Sequence, residues 1–114
     1  MPRLREKHLP HRVTIQALEG EGAEGDIWAE PRPDRPAYAE QKTRLVVDRR
    51  SPSPTFGQEV TSTTFVVLLL ADDCQPRSRV TVWPGHPRER RSEVIDSAYF
   101  EYRGTPAHVE LYLE

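Results

Sequence analysis

The chain has 114 residues, with eleven prolines, 36% hydrophobic and 30% charged residues, and a formal charge of −2 from 16 basic and 18 acidic side chains. That length suits one domain burying roughly two-thirds of the surface its unfolded chain exposes, enough for a single core. The near balance of charge gives no electrostatic reason for tight sequence-independent DNA binding, the frequent prolines exclude long helices, and no apolar run approaches the ~18 residues of a membrane span.

Taken in chain order, the opening MPRLREKHLPHR is charged and lacks an apolar core, so no secretory leader is expected, and residues 1–11 read as an N-terminal arm. Residues 12–18 alternate with period two, placing Val13, Ile15 and Ala17 on one face and Arg12, Thr14 and Gln16 on the other. An acidic, glycine-rich segment (20–26) and a proline-rich one (30–36) follow and are expected to turn. Residues 37–48 form a long second strand, and 49–57 an extended loop with Arg49, Arg50 and Phe56. The third strand, 59–70, begins polar with Thr61, Ser62, Thr63 and Thr64, then becomes an unbroken apolar run from Phe65 to Leu70. Residues 79–83 alternate again around Val80 and Val82, and 84–91 form a loop of Pro, Gly and Arg. Strands are expected at 92–102 and 108–114, the last with Val109, Leu111 and Leu113 inward and His108, Glu110, Tyr112 and Glu114 outward. Six short strands without helical periodicity predict an all-β fold: a small antiparallel β-barrel with long loops, in one domain over residues 1–114.

The run from Phe65 to Leu70 is apolar on both faces, so its second face, carrying Phe65, Val67 and Leu69, must be covered by the same chain or by a neighbouring subunit. Those three residues are the candidate subunit-interface strand. Arg49, Arg50 and Phe56 in one loop, with Arg88, Arg90 and Arg91 in another, are the candidate contacts to a partner or a channel lumen, because clustered arginines pair with carboxylate or phosphate.

Other constellations carry less. Gly20-Glu21-Gly22-Ala23-Glu24-Gly25 matches G-x-G-x-x-G, but four acidic residues surround it and the prolines at 31, 33 and 36 forbid the helix that a dinucleotide phosphate needs. A hairpin loop is expected there. His8 and His11 are separated by Pro10, and two imidazoles without a third ligand make a poor metal site; His108, on the outward face of the last strand, reads as a surface residue. Cys74, the only cysteine, leaves no internal disulfide, and the adjacent Asp72 and Asp73 would raise rather than lower its pKa. Those two aspartates read as turn residues. No convergent polar site can be assembled, so no catalytic, cofactor or metal residue is expected, and the chain reads as a structural or interaction protein rather than an enzyme.

The order of features is more specific than any one of them. RVTIQAL leads to an acidic loop, PAYAEQKTRLVVDRR to a second loop, and GQEVTSTTFVVLL, SRVTVWPG, SEVIDSAYFEY and GTPAHVELYLE follow. Over residues 12–114 this resembles the head-to-tail stopper, or head-closure, proteins of long-tailed bacteriophages, whose expected R-L-V-x-D…G-x-E-V, S-R-V-T and P-x-H-V-E-V-x-L motifs have counterparts at residues 44–64, 78–81 and 106–113. The loop at 49–56 is longer and richer in proline than the tight turn associated with many members. The resemblance implies a virion protein of the phage neck, made in the host cytoplasm and placed at the head–tail junction. It implies a homo-oligomeric ring, sixfold, below the portal-adaptor ring and above the tail terminator and tail tube, with genomic DNA passing through its lumen and no membrane partner. The alternatives are a tail terminator or tail-completion barrel, and an oligonucleotide-binding barrel, for which Tyr38 with Lys42 and Arg44 is the nearest approach to interleaved aromatic and basic residues.

Overall fold

Eight strands and one 3-10 turn make up a computed structural model that describes residues 9–23, 25–51, 53–101 and 107–114. The strands are β1 (His11–Gln16), β2 (Leu18–Gly22), β3 (Gly25–Trp28), β4 (Arg32–Val47), β5 (Glu59–Leu68), β6 (Arg79–Val82), β7 (Arg90–Phe100) and β8 (His108–Leu113), with the 3-10 turn at Leu70–Asp72. Six of them close into an antiparallel barrel in the order β1-β4-β5-β8-β7-β6, and β6 pairs back onto β1. Closure gives each of the six barrel strands a neighbour on both sides, which limits the usual route to edge-to-edge aggregation. The all-β barrel of six strands expected from the sequence is what the chain forms.

Alternation places the core. Val13 and Ile15 of β1, Val66 and Leu68 of β5, Val80 and Val82 of β6, and Val109, Leu111 and Leu113 of β8 all point inward and are essentially inaccessible. Ala37 and Ala39 supply the small inward residues of β4 against the leucines of β5 and β8, which suits the tapering interior of a small barrel. Val94 of β7 completes that cluster. No described helix is long and apolar enough to cross a membrane.

Three details differ from the sequence expectation. Segment 20–26 is a true two-stranded hairpin, β2 with β3, pairing Gly22 with Gly25 outside the barrel. The proline-rich segment is the first third of β4: Arg32 pairs with Ile15 and Arg35 with Val13, so β4 carries one extra residue there. Asp34, at φ 62°, takes the left-handed conformation of this bulge, and Pro33 lies beside it, where a ladder N–H is not required. Finally, β5 stops at Leu68, and Leu69 leads into the 3-10 turn instead of continuing the strand. Of the expected arm at 1–11, residues 1–8 lie outside the described residues; Leu9 is buried and His11 already belongs to β1.

Candidate interaction site

The loop between β4 and β5 is organised by a carboxylate that begins it. Asp48 is fully buried and accepts hydrogen bonds from the Arg50 backbone N–H at 2.8 Å, from Arg50 Nε at 3.0 Å, from Ser53 Oγ at 3.2 Å and from Thr55 Oγ1. An Asp accepting from the N–H two residues on is the local turn that its short side chain favours. Gly57, at φ 84°, lets its N–H reach the Asp48 carbonyl at 2.8 Å, closing the loop at its other end. Burial on its own would raise the Asp48 carboxyl, but the Arg50 and Thr55 hydrogen bonds, the Arg50 N–H and the guanidinium charge together hold it well below the usual carboxylate range.

Arg50 carries the loop onto the barrel. Its Nη1 reaches Glu93 of β7 at 3.2 Å and Glu114, just past β8, at 2.5 Å, while Arg49 N–H donates to the Ile95 carbonyl at 3.1 Å. Arg50 is only 9% exposed, so the structure places it inside the chain's own ion network rather than at a partner-facing position. Arg49 is exposed and Phe56 is half exposed, so these two remain on the outer surface of the loop. The Asp48–Arg50–Glu93–Glu114 network was not anticipated; the Asp-x-Arg spacing was its local signal, but its two glutamates lie 43 and 64 residues from Arg50.

The second loop, between β6 and β7, lies across the barrel end. Trp83 (φ 50°) and Gly85 (φ 77°) turn the chain, Glu89 accepts from the Gly85 N–H at 2.9 Å, and Arg88 Nη1 reaches Gln41 Oε1 on β4 at 3.0 Å. Arg90 donates to Ser92 Oγ at 3.1 Å and to the Glu114 carbonyl at 2.9 Å. Arg91 is exposed and makes no side-chain hydrogen bond or ion pair among the described residues. Arg79, Arg90, Arg91, Ser92, Glu93 and Glu114 line an open polar depression of about 470 Å³.

Outward residues divide the barrel wall into two unlike faces. Register across β4, β5, β8 and β7 sets Glu40, Phe65, Tyr112 and Asp96 in one row and Tyr38, Val67, Glu110 and Ala98 in the next. Phe65 and Tyr112 meet at 5.7 Å, and the Arg44 guanidinium lies over both rings at 5.6 and 5.3 Å. Phe65, Val67 and Leu69 are therefore half-buried within the isolated chain, and Tyr38 is 39% exposed beside them. On the other side, Thr14, Thr81 and Arg91 share a row, as do Gln16, Arg79 and Glu93, with Arg12 exposed one outward position away on β1. The β2–β3 hairpin leans against this side, with Trp28 under the Arg79 guanidinium at 4.1 Å.

The remaining candidates are structural in character. Asp72 is buried and pairs with Arg32 at 2.7 Å and Arg35 at 2.9 Å, tying the 3-10 turn to the start of β4, while its Oδ2 has no hydrogen-bond partner among the described residues. Cys74 is buried in the core, and burial first, then the Asp73 charge, push its thiol up to about 12. A thiol so held is protonated at neutral pH and is a poor nucleophile. His108 stacks on Phe100 at 4.8 Å and bonds Glu110 at 3.0 Å; His11 Nδ1 accepts the Ala39 N–H at 3.0 Å. His8 lies outside the described residues. Among the described residues, no three His, Cys, Asp or Glu side chains are placed to share a metal ion. The G-x-G-x-x-G segment forms the β2–β3 turn, with no helix after it to receive a phosphate.

Comparison with protein-family models, with curated proteins and with solved structures finds no match for this chain.

Proposed function

We propose that this chain is a head-to-tail stopper of a tailed bacteriophage: a virion protein that forms a ring beneath the portal adaptor, closes the DNA channel after packaging and docks the tail. The observation that carries the reading is the second apolar stripe, Phe65 and Val67, on the outer wall of a barrel whose core is already complete without it. Tyr112 and Arg44 cover only part of this stripe, and a subunit in a ring can bury the remainder against the next copy. The order of sequence motifs supports the same reading. The strapped loop at 48–58 fits a docking element, because an ordered loop loses little freedom on binding. A net charge near zero suits a channel that must release DNA rather than grip it. The reading gives the chain no catalytic role.

The test is genetic. Phage particles assembled without this chain are expected to fill their heads, leak DNA and remain untailed. Heads that hold their DNA and carry tails would contradict the reading. Stable heads accompanied by tails of irregular length would point to a tail terminator instead.

A further inference from the structure

The loop between β4 and β5 is fixed by polar bonds, and its one aromatic side chain takes no part in fixing it. Besides the contacts to the Asp48 carboxylate, the Phe56 N–H donates to the Ser53 carbonyl at 3.0 Å, the Gln58 N–H to the Thr55 carbonyl at 2.9 Å and the Asp48 N–H to the Gln58 carbonyl at 2.8 Å. The Phe56 ring, by contrast, is 51% exposed and makes no ring contact among the described residues. Arg49 is exposed in the same loop, and its guanidinium makes no hydrogen bond or ion pair among the described residues, although its backbone N–H is bonded to β7. Leu45, 66% exposed, stands on the strand that enters the loop. A phenyl ring held in water on a mobile loop would call for no explanation. Here the backbone beneath the ring is already ordered, so a partner that buries it gains apolar contact without ordering the loop. A rigid aromatic with an arginine close by in sequence is also the residue pair most often found to dominate protein contacts.

We infer that Phe56 anchors a contact with a different protein, its ring entering an apolar pocket there, and that Arg49 pairs with a carboxylate at the pocket's rim. Arginine suits such a rim, because its planar guanidinium can pair with a carboxylate at two points. The occupant is not a second copy docked at the open depression beside β7: arginine, serine and glutamate line that depression, and they offer a phenyl ring no apolar surface. The inference deepens the docking role proposed above and rests on that reading for where the partner lies.

Photocrosslinking in assembled phage particles tests it. With p-benzoylphenylalanine in place of Phe56, irradiation is expected to join this chain to a different virion protein. A crosslink only to another copy of this chain, or none, overturns the inference. Two variants give an independent readout. Phe56→Ala is expected to keep the native urea midpoint and to lower plating at least about thirtyfold, the factor that a dominant aromatic carries in affinity, while Phe56→Leu plates within about tenfold of native. Phe56→Ala that plates within about threefold of native contradicts the anchor. A chain that crosslinks through position 56 to a different protein away from the neck would sink only the stopper reading. A neck chain without that crosslink would sink only this contact, and absence of the chain from the particles would sink both.

Discussion

Asp48 is the residue on which the β4–β5 loop depends, and its protonation should be visible in stability. Its folded pKa lies below the ordinary value of 3.8, so the stabilisation is fully present above that value and fades as pH falls through it toward the folded pKa. Acid titration of chemical denaturation should therefore show stability falling from about pH 5 downward, and Asp48→Asn should remove part of that slope. Asp48→Ala removes the acceptor for the Arg50 N–H, Arg50 Nε, Ser53 and Thr55 while leaving the guanidinium paired with Glu93 and Glu114, and is expected to cost about 2 kcal/mol at neutral pH, measured by urea unfolding. A cost below about 1 kcal/mol would mean that the network is dispensable. Cys74 offers a second check at this scale. With its thiol held near 12, the native protein should resist alkylation at pH 8 and react promptly once denatured. Rapid labelling of the folded chain would place Cys74 in a mobile or exposed setting.

At the scale of elements, the inward and outward stripes of one wall should differ sharply. Leu111→Ala in β8 opens a cavity in the core and is expected to cost roughly 2–5 kcal/mol, whereas Val67→Ala on the outer stripe of β5 should cost under about 1 kcal/mol in the monomer while weakening self-association. Urea midpoints for the pair, taken at dilute concentration, check this; equal costs would mean that the outer stripe is part of the core. Strict alternation made β1, β6 and β8 readable from sequence, because a one-residue slip there would turn valine and leucine to solvent. The start of β4 was not readable. Pro33 and Pro36 signal a turn locally, and the bulge at Asp34 that admits them exists only because β1 lies alongside. Likewise the bulge in β7 between Val94 and Asp96 lets Val94 and Ile95 both be buried, where alternation would bury only one. The candidate site was legible to a similar extent. Arg49 and Phe56 could be picked out as exposed loop residues, whereas Arg90 and Arg91, expected in the loop at 84–91, open strand β7, and the inward turn of Arg50 depends on Glu93 and Glu114, which no local pattern connects to it.

At the scale of the molecule, the barrel has one core, and the described loops between β4 and β5 and between β6 and β7 are tied back to it by hydrogen bonds and ion pairs. The buried carboxylates, Asp48 and Asp72, hold the β4–β5 loop and the 3-10 turn to the barrel, and the only cysteine is sealed in the core. What the outer surface retains is an aromatic stripe around Phe65 and Tyr112, exposed Arg49 and Phe56 in the β4–β5 loop, and exposed Arg91 at the start of β7. That distribution suits a subunit whose work is to touch its own copies laterally and other rings above and below. The most direct measurement is to image the head–tail junction of phage particles carrying this chain by electron cryomicroscopy. The account predicts a ring of small six-stranded barrels between adaptor and tail, with the Phe65–Val67 stripe of each buried against a neighbouring copy. Absence of the chain from that junction, or its placement along the tail tube, would contradict it.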